Sequence, residues 1–306
     1  SVDTRERLPS HHIHILRPLL SVPVWLAQGP CLLDGATGSY LRAKGMPRDC
    51  ATEEWVLRNP EVLVELQRGY AKAGSRIIYA PTFQAQPIAL RKIGLENHTE
   101  AINAQLIALS RSAAPGCLIA GDIATLAAFC DSWDTDNFDL LVENYRRQIR
   151  GLIDGGADLL VGETLLYPQE AEAILTAAEL EGAGATMITY SMQSGGFLYS
   201  GHDAGPLMGQ LENWGAAAVG FNCVAADGMV PHLVSKLRRF TKLPLICKPN
   251  AGNPIINEKG QAEYKLEPEP FARIVKACYE NGASFLGGCC GTTPAHMAAL
   301  KKSLDR

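Results

Sequence analysis

The sequence has no apolar stretch approaching the roughly 20 residues that a membrane-crossing helix needs, which excludes a helical membrane protein. It also lacks an excess of either charge. Its 28 Lys and Arg against 32 Asp and Glu give a formal net charge of -4, with no basic footprint for nucleic acid. No Pro/Gly/Ser linker or break in composition divides the 306 residues, so one large domain is the economical reading. The first twenty residues carry Arg5, Arg7, Pro9, His11, His12 and His14 where a signal peptide would have an apolar centre. These observations predict a short irregular extension over residues 1–24, a domain over 25–306 and a cytoplasmic protein. The three N-terminal histidines read as part of a solvated segment.

A disulfide framework is missing as well. The nine cysteines are odd in number, and their positions do not follow the spacing of a secreted scaffold, which favours a reducing compartment. Cys31, Cys117, Cys247 and Cys278 lie in apolar runs and read as small buried hydrophobes.

What is present is a regular alternation. Short β-branched or apolar runs over residues 31–35, 76–83, 117–123, 159–164, 186–191, 218–223, 243–250 and 284–290 read as strands. Between and after them lie helix-patterned stretches such as 60–73, 99–112, 137–154, 168–181, 228–239, 268–281 and 294–304, several opening on proline. Gly74, Gly156 and Gly282 stand where a left-handed residue would stop a helix before the next strand. Eight strand–helix pairs over this length predict a single (β/α)8 barrel of the TIM type; a doubly wound open sheet buries its strands equally and is the runner-up.

In such a barrel the C-terminal strand ends carry the chemistry. Here those ends hold Asp34-Gly35, Thr82, Glu163, Asn222-Cys223, Asn250 and the vicinal pair Cys289-Cys290. Cys223 and the pair would share one rim of a barrel about 15 Å across. Three thiolates can hold one zinc ion and leave a tetrahedral position open, which favours chemistry over scaffolding. The bland readings are turn chemistry for Asp34, loop hydrogen bonds for Asn250 and Thr82, and structural or redox thiols for the cysteines. Glu163 is harder to dismiss, because a carboxylate after Leu159-Leu160-Val161-Gly162 is costly to bury without a cation.

The strings Leu32-Leu33-Asp34-Gly35-Ala36-Thr37-Gly38, Gly220-Phe221-Asn222-Cys223, Lys248-Pro249-Asn250-Ala251-Gly252 and Gly287-Gly288-Cys289-Cys290-Gly291-Thr292-Thr293-Pro294 resemble the zinc-dependent homocysteine S-methyltransferase family. The resemblance runs from about Cys31 to Leu304. Its last third is most similar to the homocysteine-binding barrel of cobalamin-dependent methionine synthase. It implies a (β/α)8 barrel that binds zinc through Cys223, Cys289 and Cys290 and methylates L-homocysteine to L-methionine. It further implies that Asp34 and Glu163 hold the substrate's amino group, that backbone near Gly35 and Thr82 holds its carboxylate, and that Asn250 completes the zinc shell when homocysteine is absent.

Family members take the methyl group from S-methylmethionine, betaine or related onium compounds, or from a methylated cobamide. The likeness of the last third to methionine synthase tilts the expectation toward a methylcobamide supplied in trans by a corrinoid protein or domain, since 306 residues leave no room for such domains here. The loop after the third strand, Gly121-Asp122-Ile123-Ala124-Thr125-Leu126, departs from the family's Gly-Pro-rich pattern. Two readings of other classes stand beside this one: a phosphate-binding barrel enzyme using the glycine-rich loop after the last strand, and a non-catalytic thiol or metal module.

Overall fold

The computed structural model describes residues 29–306. The expected extension over residues 1–24, its histidines and the domain boundary at residue 25 lie outside the described residues.

The strands of the main sheet are β1 (Cys31–Leu32), β2 (Ile77–Tyr79), β3 (Leu118–Ile123), β4 (Leu159–Leu165), β5 (Thr186–Tyr190), β6 (Ala218–Ala225), β7 (Leu245–Asn250) and β10 (Ala283–Leu286). A small antiparallel hairpin, β8 (Ile255–Ile256) with β9 (Ala262–Glu263), projects after β7. The eight-stranded sheet runs β1-β10-β7-β6-β5-β4-β3-β2 with every ladder parallel. Strands therefore follow one another around the sheet without the reversal of a doubly wound fold. The remaining seam closes where the Arg76 N–H donates to the Leu32 carbonyl at 2.7 Å. The architecture is the expected (β/α)8 barrel, nearly closed.

Two apolar layers hold it together. Inside the barrel, Leu33, Ile77, Tyr79, Ala120, Leu159, Val161, Met187, Ala218, Ile246 and Phe285 pack against one another at alternate strand positions. A larger cluster fills the space between the outer strand faces and the helices, with Tyr70, Tyr145, Phe221 and Phe271 fully or almost fully buried. Gly74, Gly156 and Gly282 take the expected positive φ, at 113°, 91° and 118°.

There are three local departures from the sequence pattern. The second strand stops at Tyr79 because Pro81 has no N–H to extend the ladder, and the chain turns there with the Thr82 N–H bonded to the Ala80 carbonyl. The first strand stops at Leu32; beyond it the Leu33 N–H still donates to the Leu286 carbonyl and the Asp34 carbonyl still accepts the Gly288 N–H, while on the β2 side the Asp34 side chain accepts the Tyr79 N–H at 2.9 Å. A helix at Ala204–Asn213, absent from the expected segments, sets Gly205 against the ring of Phe240, where an added Cβ would stand 2.5 Å from it.

Candidate active site at the C-terminal rim

Period two continues beyond the apolar interior layer. One step past Ala120, Val161, Met187 and Ile246 stand Asp122, Glu163, Thr189 and Lys248, and further along β6 and past β10 come Asn222 and Cys289. The barrel mouth is thus lined with polar side chains above an apolar floor, at the end where parallel strands deliver their last residues.

The three expected cysteines converge. Cys223 Sγ lies 3.5 Å from Cys289 Sγ and 3.8 Å from Cys290 Sγ, and all three sulfurs lie within 4.8 Å of one another. A tetrahedral zinc with Zn–S bonds of about 2.3 Å needs its sulfurs about 3.8 Å apart, so the soft three-thiol set fits that ion in both chemistry and span. His296, the histidine nearest in sequence, is turned away: Nε2 meets the Leu266 carbonyl at 2.7 Å and Nδ1 meets Thr293 Oγ1 at 2.9 Å.

The backbone around the sulfurs is heavily tied. Asn250 Oδ1 accepts the Cys290 N–H at 3.0 Å, the Cys289 N–H donates to the Pro249 carbonyl at 2.8 Å, and the Ala251 N–H donates to the Cys290 carbonyl at 2.9 Å. Gly291 passes under Tyr264 with φ 79°, where an added Cβ would stand 2.3 Å from the tyrosine Cβ. Contacts with Cys223 first and Cys289 second hold the Cys290 thiol well below its ordinary value.

Two ladders are irregular at the mouth, one between Gly162 and Leu165 of β4 and one between Asn222 and Ala225 of β6. Glu163 and Cys223 sit in these bulges, which re-aim side chains without ending the strand. The described residues contain two non-glycine residues at positive φ, Thr164 at 54° and Cys223 at 61°, and both lie here. Fully buried Asn222 joins them. Its Oδ1 accepts the Thr164 N–H at 2.9 Å and the Thr189 hydroxyl at 2.8 Å, while Nδ2 donates to Thr164 Oγ1 at 2.6 Å and toward Cys289 Sγ at 3.7 Å.

Asp34 is buried, and its two oxygens are engaged. Oδ1 lies 2.7 Å from Lys248 Nζ, and Oδ2 accepts the Tyr79 N–H. Burial alone would lower the Lys248 pKa, but Asp34, Glu163 and Cys289 together hold it above its ordinary value, so the ammonium stays charged. Its Nζ also stands 4.1 Å from the centroid of the Tyr79 ring.

Gly35 faces Thr292 and Tyr70 so closely that an added Cβ would lie 2.7 Å from each hydroxyl. Thr82 is fully buried. Its hydroxyl donates to the Asp122 carbonyl at 2.8 Å and accepts the Asp122 N–H at 2.9 Å, its own N–H goes to Ala80, and its carbonyl accepts from Gln148. Each polar group of Thr82 therefore already has a partner within the chain, and its visible role is to hold the end of β3.

Lys248 and Asp122 were not among the expected site residues. Both lie in strings read for other features, yet each is an inward position by strand period, and a charged residue there is a signal the sequence contains.

The homocysteine S-methyltransferase family model matches residues 31–304. The chain belongs to the homocysteine S-methyltransferase family. It is an enzyme of the methyltransferase class by that membership. The homocysteine S-methyltransferase of Escherichia coli is 28% identical over 293 residues, covering 88% of this chain and 94% of the relative. The methionine synthase of Mycobacterium tuberculosis is 26% identical over 291 residues, covering 89% of this chain but 24% of that protein, so the chain spans about a quarter of that relative's length. The crystal structure of the E. coli homocysteine methyltransferase MmuM in its metallated form superposes with a TM-score of 0.77 at 27% identity, covering 94% of this chain and 99% of that one. The oxidized form gives 0.78. Both family strings that end in cysteine, Gly220-Phe221-Asn222-Cys223 and Gly287-Gly288-Cys289-Cys290, lie at the homocysteine S-methyltransferase barrel's C-terminal rim.

Proposed function

We propose that this chain transfers a methyl group to the thiol of L-homocysteine, giving L-methionine, with one zinc ion held by Cys223, Cys289 and Cys290. The sulfur triangle, at 3.5 and 3.8 Å from Cys223, is the observation that carries this reading. A zinc ion bound there would supply Lewis acidity, keeping an added thiol in its nucleophilic thiolate form near neutral pH.

The chain's own residues do the rest. Three cysteines leave one tetrahedral position for the substrate sulfur. Asn250 and Asn222 fix the vicinal pair by hydrogen bonds to the Cys290 N–H and toward Cys289 Sγ. Glu163, beside Asp34, offers charge-assisted hydrogen bonds to the substrate's ammonium group, and the main chain at Gly35 faces its carboxylate. Fixing both ends of the amino acid aims its sulfur, so that one S–C bond forms as the methyl–donor bond breaks in line.

The donor is a methylcobamide presented by a separate corrinoid protein or domain, or a small onium compound such as S-methylmethionine or betaine. Identities of 26% to a methionine synthase and 28% to a homocysteine S-methyltransferase rank neither. All nine cysteines are free thiols, which supports a reducing compartment such as the cytoplasm. Among the described residues no helix is long and apolar enough to cross a membrane.

The test is methionine formation by the purified protein from L-homocysteine with methylcobalamin, S-methylmethionine and betaine, alongside its zinc content. Turnover with one donor and one zinc per chain, both lost in Cys289→Ser, is the expected result. Full zinc and full rate in that variant would remove the three-cysteine site, and no methionine from any donor would overturn the reaction.

A further inference from the structure

Asp122 is a charged residue at an inward position of the barrel mouth, 5% exposed, and no part of the reading above uses it. Its Oδ1 is buried and has no hydrogen-bond donor among the described residues. Its side chain stands within hydrogen-bond reach of the Glu163 carboxyl on the adjacent strand. A buried carboxyl beside a second acidic group is disfavoured in its charged form, so Asp122 is the group pushed toward its protonated state.

The surroundings say which of the carboxyl groups is open to an incoming cation. Facing Asp122 across the mouth are Glu163 from β4, Asp34 from beyond β1, Lys248 from β7 and Tyr79 from β2. Lys248 neutralises Asp34, which also accepts the Tyr79 N–H. Of the three carboxyl groups, the ones left with acceptor capacity for an incoming ammonium are Glu163 and Asp122.

We propose that Asp122 and Glu163 together form the receptor for the amino acid's ammonium group, and that the Asp122 proton passes to solvent when the amino acid binds. The assignment rests on the homocysteine reading and changes it in one respect: Asp34 serves as the counter-ion of Lys248, and Asp122 takes over the contact with the substrate's nitrogen. The step balances. The protonated pair carries one negative charge, an ammonium group binds, one proton leaves, and two carboxylates then face one ammonium. Burial first, and the Glu163 charge second, raise the Asp122 pKa well above the ordinary carboxyl value.

Proton release on binding tests this with the zinc-loaded protein. L-methionine is the probe, because its thioether has no proton to lose and any release comes from the protein. Calorimetric titrations near neutral pH in buffers of different ionisation enthalpy count the protons. The expected result is release approaching one proton per methionine in the wild type, close to none in Asp122→Asn, and about tenfold weaker binding in that variant, the size of one lost charge-assisted hydrogen bond. L-homocysteine should release one proton more than methionine in both proteins. A wild-type count near zero, or equal counts in wild type and Asp122→Asn, would overturn the pair while leaving methyl transfer intact. Absence of binding and of turnover would instead overturn the function on which the pair rests.

Discussion

Asn222 and Thr164 hold each other through two hydrogen bonds, Thr164 N–H to Asn222 Oδ1 at 2.9 Å and Asn222 Nδ2 to Thr164 Oγ1 at 2.6 Å. One partner follows Glu163 and the other precedes Cys223, so the pair ties the backbone beside that carboxyl group to the backbone beside that thiol. Both Thr164 and Cys223 occupy left-handed backbone conformations that cost a non-glycine residue of order 1–3 kcal/mol and persist only when the surroundings enforce them.

Replacing Asn222 should relax both ends together. Asn222→Ala is expected to weaken zinc binding by roughly 10–100-fold, as loss of a hydrogen bond behind a metal ligand typically does. It should raise the KM for homocysteine in the same variant. Competition with a chromogenic chelator measures the first, and initial rates measure the second. An unchanged KM alongside weakened zinc would show that the two sites are not linked through this residue.

Lys248 tests the buried ion pair. Removing one partner of a buried pair leaves an uncompensated charge, at a cost of roughly 3–5 kcal/mol. Lys248→Met should therefore unfold at distinctly lower denaturant concentration than the wild type. Lys248→Met combined with Asp34→Asn should recover much of the loss, since no charge is then left without its partner. Equal midpoints for the single variant and the wild type in urea titrations would mean that Asp34 is neutral in the folded protein.

The raised pKa of Asp122 carries a definite sign. A carboxyl group whose folded pKa lies above its unfolded value binds its proton more tightly in the folded state. The stability it contributes is fully present below the unfolded value of about 3.9 and declines as pH rises through the folded pKa. Asp122→Asn removes that dependence. The variant should gain stability relative to the wild type as pH rises from the acid range toward neutrality, with a higher Tm at neutral pH. A Tm difference that stays constant across this range would show that Asp122 titrates at its ordinary value.

Gly220 has no room for a side chain. An added Cβ would stand 2.0 Å from the Ile246 carbonyl oxygen on the neighbouring strand. Gly220→Ala must push β6 and β7 apart and so displaces Cys223 and Lys248 together. The expected outcome is loss of soluble, zinc-binding protein, read from expression yield and metal content. A soluble variant with full zinc would mean that the two strands separate more easily than their packing implies.

Much of this protein was legible in its sequence because the relevant signals are local. Strand and helix periods, prolines at helix starts and glycines at their ends gave eight βα pairs, and the barrel follows from the size and order of those pairs. The family strings named the cysteines, and strand ends carry chemistry in any such barrel. The helix at Ala204–Asn213 and the hairpin after β7 were not legible, since glycine at Gly205 answers to the distant ring of Phe240 and the hairpin's exposed Ile255 and Ile256 follow no core pattern.

The amino-acid sequence by itself determined the architecture and brought three thiols to one rim. Tertiary structure alone decided how the charges around that rim are shared. Lys248 lies 214 positions from Asp34 yet pairs with it, while Asp122 stands beside Glu163 with a buried oxygen that has no hydrogen-bond partner among the described residues. Such pairings depend on which inward side chains meet across a closed barrel and on how much water is excluded there. Neither quantity is encoded in the spacing of residues along the chain.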